Sequence, residues 1–98
     1  MFSNMKADLL LRERSILREN AFSELVVWRL PAPMAGSAHR YKYRLALIVE
    51  GQCVLRFDNE TGKGDHRHVG GNETAYRFIS AEQLLADFWT AVDEELSP

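Results

Sequence analysis

The chain has 98 residues, of which 46% are apolar and 27% charged, with a formal net charge of −2. This length fits one domain with one core over residues 1–98, and the apolar fraction excludes a disordered chain. Cys53, the only cysteine, excludes an internal disulfide and a cysteine-based zinc site. No apolar run approaches the roughly 18 residues of a membrane span, and no secretory signal pattern is visible. We therefore expect a cytoplasmic protein without membrane contact.

The first predicted element is a hairpin that follows a loose N-terminal end at residues 1–6. Residues 7–18 fit a helix or a strand by periodicity, whereas residues 22–30 are rich in valine and tryptophan, which favours a strand. Glu19 and Asn20 form a turn signal between them. We therefore predict an antiparallel pair of strands over these two segments.

The clearest hairpin in the sequence joins residues 41–50 to residues 52–58 through a two-residue turn at Glu50-Gly51. That turn sets a register with the pairs Val49 and Gln52, Leu47 and Val54, Leu45 and Arg56, and Tyr43 and Asp58. In this register Cys53 is expected to be a small buried residue.

Because residues 59–68 contain no apolar side chain, hydrophobic burial cannot stabilise an ordered conformation of this stretch. Gly62 and Gly64 favour turning, so we predict a polar loop here. A short strand within residues 66–69, a turn at residues 70–72 and a strand at residues 74–79 follow.

The last element is an amphipathic helix. Ser80 and Gln83 have the spacing of a capping box, and apolar residues then recur at helical spacing. The expected core aromatic residues are Trp28, Phe57, Phe88 and Trp89. The predicted fold class is α+β: an antiparallel β-sheet of about five strands, made of two hairpins and a further strand, with a C-terminal α-helix packed on one face.

The candidate catalytic residues belong to the predicted loop. His66 and His68 alternate, so in a strand they would share one face, and histidine is the side chain that titrates near neutral pH. Lys63, Asp65 and Arg67 lie next to them. The two histidines are therefore predicted to act as a general acid and a general base. The alternative is that they are two exposed loop histidines.

A metal site is a second interpretation of the same stretch. Two histidines at positions i and i+2 can bind one ion, with Asp65 or Asp58 as a third ligand. Lys63 and Arg67 would repel that cation. We therefore expect no metal and no cofactor.

Basic and polar side chains at the ends of the central hairpin are candidates for phosphate binding. They are His39, Lys42, Tyr43, Arg44, Arg56 and Asp58. The alternative is a solvated strand end in which Tyr43 and Asp58 form a cross-strand pair. Since RNA carries its own 2′-hydroxyl nucleophile, a base, an acid and cations suffice for its cleavage. The residues therefore favour a metal-independent endoribonuclease with RNA as its substrate.

Three segments also resemble a known family. They are His39-Arg40-Tyr41-Lys42-Tyr43-Arg44, Val54-Leu55-Arg56-Phe57-Asp58-Asn59-Glu60 and Gly62-Lys63-Gly64-Asp65-His66-Arg67-His68. Together they are similar to the TumE family of small bacterial toxin–antitoxin proteins, over about residues 5–92. The resemblance implies a toxin with a cognate DNA-binding antitoxin as its partner, but it assigns no catalytic residue. A non-catalytic binding module using the same basic loop, a metal-dependent nuclease or phosphodiesterase, and a homodimer stay open.

Overall fold

A computed structural model describes residues 6–98, which form one antiparallel sheet and one helix. The elements are β1 (Asp8–Arg18), β2 (Ala21–Arg29), β3 (Tyr41–Val49), β4 (Gln52–Glu60), β5 (Gly64–Val69), β6 (Asn72–Ala75) and α1 (Ala81–Leu96). The strands neighbour one another in chain order. The predicted α+β class is confirmed, but the sheet has six strands instead of about five. Of the predicted loose end, residues 1–5 lie outside the described residues.

The core lies between the sheet and α1, which packs across β3 and β4. We call this side of the sheet the helix face and the other side the open face. Fully buried residues from the helix face and from α1 form one cluster: Leu25, Leu45, Leu47, Leu55, Phe57, Leu84, Phe88 and Val92. Trp89 is half-buried against this cluster. Trp28 is not part of it, because strand alternation places Trp28 on the open face, where it is also half-buried.

The predicted loop at residues 59–68 is wrong, because most of this stretch is strand. β4 continues to Glu60, β5 begins at Gly64, and only the three residues between them form the turn. Backbone hydrogen bonds to β4 and β6 hold β5 in the sheet, so this strand does not depend on apolar side chains. The predicted last strand is also displaced, since β6 spans Asn72–Ala75 instead of residues 74–79.

A β-bulge changes the predicted register of the central hairpin. Val49 pairs with Gln52 as predicted, but Leu47 pairs with Leu55 and not with Val54. The extra residue moves every later partner by one position, and a one-residue shift exchanges the two faces of a strand. Arg56 and Asp58 therefore lie on the open face. Cys53 is exposed, contrary to the expectation of burial, because it precedes the bulge and lies on the open face opposite Ile48, whereas Leu55 and Phe57 lie on the helix face.

The start of α1 is capped as the sequence predicts. The backbone N–H of Gln83 donates to Ser80 Oγ at 3.0 Å. The second half of the capping box is not formed, because the Gln83 side chain donates to Asp87 Oδ1 at 2.7 Å instead. Within residues 6–98, neither α1 nor any other segment forms a helix of the length and apolar character needed to cross a membrane.

Candidate functional site

The candidate catalytic residues of β5 are divided between the two faces of the sheet. Side chains alternate along a strand, and the pairs His66–Asp58 and His68–Arg56 place both histidines on the open face. Asp65 and Arg67 consequently lie on the helix face. These candidate residues therefore form two separate clusters, one on each face of the sheet, and do not share a single pocket.

His68 on the open face is held as a proton acceptor. Its Nε2 lies 3.1 Å from Nη2 of Arg56, and because a guanidinium can only donate, this ring nitrogen accepts. Asp58 Oδ2 accepts from Nε of the same arginine at 3.0 Å and so fixes its orientation. Asp58 Oδ1 lies 3.6 Å from the imidazole, beyond ordinary hydrogen-bond distance. Nε2 of His68 therefore faces a donor, which is the arrangement of a proton acceptor.

His66 lies between two acceptors. Its Nε2 is 2.8 Å from the backbone carbonyl oxygen of Lys63, and its Nδ1 is 3.1 Å from Glu73 Oε2. Both ring nitrogens of His66 therefore face acceptors, which is the arrangement of a proton donor. Lys63 contributes its carbonyl here, whereas its ammonium group is largely exposed and lies 3.6 Å from Glu60.

Glu73 is a residue of this site that the sequence analysis did not identify. Its Oε2 is 3.1 Å from Nδ1 of His66 and 3.9 Å from Nε2 of His68. These two nitrogens are therefore at most about 7 Å apart, the sum of those distances. The available signal was the Gly70-Gly71 turn, since a two-residue turn there places the strand residue Glu73 opposite His68.

Further cations extend the open face beside the histidines. Arg44 pairs with Asp58 across β3 and β4, and its side chain is exposed. Lys42 is exposed two residues earlier and donates to the Asn59 carbonyl at 3.4 Å. Of the predicted phosphate-binding residues, the open face therefore holds Lys42, Arg44, Arg56 and Asp58.

The other two predicted phosphate-binding residues belong to a buried cluster on the helix face. Asp65 Oδ2 accepts from Tyr43 Oη at 2.6 Å and from His39 Nε2 at 2.9 Å. Nδ1 of His39 accepts from the Tyr41 backbone N–H at 3.0 Å, and its ring stacks on Phe78 at 3.8 Å. These contacts join the β2–β3 loop, which carries His39, to β5.

The bulge explains why the predicted pair of Tyr43 and Asp58 is wrong. With Arg44 opposite Asp58, these two side chains lie on opposite faces of the sheet. Arg67, which shares the helix face, places its guanidinium 5.4 Å from the ring centroid of Phe57. The helix-face residues therefore serve packing contacts.

A close backbone contact fixes the turn that carries the Lys63 carbonyl. The Gly62 N–H donates to the Ala35 carbonyl at 2.7 Å. Gly36 has a φ of +83°, and a Cβ atom there would lie 3.1 Å from the backbone of Gly62. The β2–β3 loop therefore supports the β4–β5 turn and, through it, the acceptor of His66.

Two tyrosines on the helix face have raised pKa values. Burial, followed by the hydrogen bond to Asp65, raises the pKa of Tyr43. Burial, followed by the hydrogen bond to Asp87 at 2.5 Å, raises the pKa of Tyr76. Both hydroxyls are therefore donors at neutral pH and do not act as bases.

These pKa shifts predict that the folded protein becomes less stable in strong alkali. Unfolded tyrosines lose their protons near pH 10, whereas Tyr43 and Tyr76 keep theirs in the folded state. The unfolded state therefore binds fewer protons, and the free energy of unfolding falls as the pH rises above about 10. Urea unfolding at pH 9 and pH 11 measures this change, with Tyr43→Phe as the control that shows a smaller decrease. An unchanged free energy of unfolding in the native protein would contradict the assignment.

Among residues 6–98, no three histidine, cysteine, aspartate or glutamate side chains are grouped as metal ligands. The predicted ligand pair of His66 and His68 shares one face. Of its two possible third ligands, Asp65 lies on the other face, whereas Asp58 lies on the same face with Oδ1 3.6 Å from His68 Nε2.

Comparison with known proteins identifies one family. The family model described as Toxin TumE matches residues 6–96, nearly the whole chain. No curated protein sequence and no solved structure matches the chain.

Proposed function

The chain belongs to the TumE family of toxins. We propose that it acts as a metal-independent endoribonuclease through the open face. Family membership supports the toxin role. The observation that carries the proposed chemistry is the contrast between the two histidines of β5. His68 faces a donor and His66 faces two acceptors. A ring nitrogen that faces a donor, beside a second ring whose nitrogens face acceptors, is the arrangement expected of a general base and a general acid.

The proposed reaction uses the 2′-hydroxyl of RNA as the nucleophile. His68 Nε2 takes the proton of this hydroxyl as its oxygen attacks the adjacent phosphorus. The bond from phosphorus to the 5′-oxygen breaks, and His66 gives a proton to the departing oxygen. The products are a 2′,3′-cyclic phosphate and a free 5′-hydroxyl, while proton exchange with water restores both imidazoles.

The separation of the two histidines suits this reaction. Their facing nitrogens are at most about 7 Å apart, and each needs to reach one oxygen of the same phosphate at roughly 2.6–3.2 Å. Glu73 Oε2 lies between these nitrogens in the free protein, so one phosphate satisfies both requirements once the half-exposed Glu73 side chain turns outward.

Arg56 is the proposed phosphate ligand closest to the reaction. Charge-assisted hydrogen bonds from a guanidinium to a phosphate are stronger than its bond to a neutral imidazole. Bound phosphate therefore draws Arg56 away from His68 and frees the lone pair that receives the proton. Lys42 and Arg44 bind the flanking phosphates, and Asp58 keeps Arg56 oriented.

Glu73 is proposed as a positioning residue that orients the His66 imidazole through Nδ1 before RNA binds. Glu73→Gln keeps a hydrogen-bond acceptor for this ring nitrogen, whereas Glu73→Ala does not. We therefore expect Glu73→Ala to lower the rate of RNA cleavage and Glu73→Gln to restore much of it. Single-turnover cleavage measures this difference, with Glu60→Gln, which removes a carboxylate near the same hairpin, as the control. Equal rates in the native protein and Glu73→Ala would contradict the role.

A toxin family implies an antitoxin partner, and we expect the cognate antitoxin to be a DNA-binding protein that inhibits by covering the open face. A complex that leaves His66, His68 and Arg56 accessible would contradict this mode of inhibition.

RNA cleavage by purified protein in excess chelator tests the proposed activity. The expected result is cleavage that chelator does not prevent, with 2′,3′-cyclic phosphate ends on the products. Cleavage abolished by chelator would indicate a metal-dependent nuclease instead. Intact RNA, from a protein that still arrests growth when induced, would indicate a non-catalytic binding module.

A further inference from the structure

We infer that the open face is a binding track for single-stranded RNA, running across the strands from β1 to the histidines of β5. This inference rests on the proposed function and extends it, since it assigns the site that holds the RNA on one side of the cleaved bond. No other element covers this face among residues 6–98, where α1 packs against the opposite side.

The strand register lines up the side chains of the track. One row crosses the sheet through Arg12, Val26, Arg44, Asp58 and His66, and the adjacent row through Arg14, Glu24, Ala46, Arg56 and His68. Both rows therefore begin at an arginine of β1 and end at a proposed catalytic histidine. With neighbouring strands about 4.8 Å apart, four steps cover about 19 Å. This distance is enough for several nucleotides in addition to the one that is cleaved.

The charge of the open face suits phosphate groups. By strand alternation its Lys and Arg residues are Arg12, Arg14, Lys42, Arg44 and Arg56, and its carboxylates are Glu24, Asp58, Glu60 and Glu73. Arg14 lies 3.9 Å from Glu24, and Arg56 lies 3.0 Å from Asp58. Arg12 and Arg44 form no ion pair with any described residue, and together with Arg14 they line a surface depression over β1–β3.

Aromatic rings lie between these cations. The Arg12 guanidinium carbon is 6.0 Å from the ring centroid of Trp28, whereas that of Arg14 covers Phe22 at 4.4 Å. The ring of Trp28 is therefore the less covered of the two, and it is half-buried in a rigid strand. Positively charged grooves with interleaved aromatic side chains bind single-stranded nucleic acids through phosphate contacts and base stacking. Trp28 is accordingly assigned as a stacking platform for one base.

RNA suits this face better than a second copy of the chain. The open face carries more cations than carboxylates by strand alternation, so two open faces placed together repel each other on balance. A phosphate backbone supplies the missing negative charge. The track also leads directly to the two imidazoles for which RNA is the proposed substrate.

Binding to non-cleavable RNA tests the track without any need for catalysis. The probe is a dye-labelled single strand of about eight nucleotides, within the usual site sizes, with 2′-O-methyl groups that block cleavage. Fluorescence anisotropy at several salt concentrations compares the native protein with the double variant Arg12→Gln/Arg14→Gln. We expect weaker binding, with the slope of log affinity against log salt reduced by about 1.4, or 0.7 for each lost phosphate contact.

The matched control is the double variant Arg18→Gln/Arg67→Gln, which removes the same charge from the helix face. It should keep the native salt slope. Trp28→Ala should weaken binding about five- to 150-fold through lost stacking, while the Trp28 fluorescence of the native protein should change when RNA is added. Circular dichroism confirms that each variant is folded.

The outcomes separate this inference from the proposed function. Equal salt slopes in the two double variants would overturn the track even if the native protein cleaves RNA. A native protein that binds the probe through Arg12, Arg14 and Trp28 but never cleaves RNA would support the track and refute the ribonuclease. Binding of polyglutamate but not of RNA would identify a protein-binding surface and overturn the inference.

Discussion

His68→Ala should lower the rate of RNA cleavage by about 10²–10⁴-fold, because the 2′-hydroxyl then loses its general base. His66→Ala should lower the rate by a similar factor, because the departing 5′-oxygen then loses its general acid. Both imidazoles are about three-quarters buried at the surface of β5 and outside the apolar core, so the variants should stay folded. The measurement is single-turnover cleavage of one RNA at saturating protein, with circular dichroism as the check on folding.

The pH dependence distinguishes the two roles. A base must be unprotonated, so it produces the rise of the rate on the acidic side. An acid must be protonated, so it produces the fall on the alkaline side. His68→Ala should remove the acidic limb and His66→Ala the alkaline limb. If both variants are folded and retain the native rate and pH profile, the acid–base mechanism is refuted.

Asn59→Ala should lower the free energy of unfolding by roughly 2–6 kcal/mol, because it leaves one buried and one partly buried backbone group without partners at about 1–3 kcal/mol each. Asn59 is only 2% exposed. Its Oδ1 accepts from the Tyr43 N–H at 3.0 Å, and its Nδ2 donates to the Tyr41 carbonyl at 2.7 Å. This side chain continues the bonding between β3 and β4 beyond the last paired residues and so supports the hairpin that carries β5.

Urea unfolding measures the loss of stability. Asn72→Ala, at an exposed position where β6 begins, is the matched control and should change the free energy of unfolding by less than about 0.5 kcal/mol. Equal stabilities of the two variants would show that water replaces the bonds of Asn59 without cost.

The parts of the fold that could be predicted from sequence are those with a periodic apolar pattern. The helix start at Ser80 and the turn at Glu50-Gly51 follow from such patterns and from local turn chemistry. The bulge after Cys53 could not be read in this way. Val54 fits a regular strand equally well, and the extra residue is determined by packing of Leu55 and Phe57 under α1. One unpredicted residue therefore reversed the expected faces of the second half of β4.

The candidate site shows a different limit. The sequence does imply that His66 and His68 share a face if they lie in a strand. The same alternation would have separated Asp65 and Arg67 from them, but a stretch without apolar residues gives no hydrophobic signal for a strand. β5 exists because its backbone is paired on both sides. The side chains that surround β5, including Glu73, come from neighbouring strands, and the periodicity of the β5 sequence cannot identify them.

The most direct test of the account is an alanine walk along three consecutive residues of β5, with RNA cleavage measured for each folded variant. Catalysis at the open face predicts a period of two: His66→Ala and His68→Ala lose activity, whereas Arg67→Ala, whose side chain points to the helix face, cleaves RNA at the native rate. Loss of cleavage in Arg67→Ala as large as in the histidine variants, with folding intact, would contradict the assignment of catalysis to the open face.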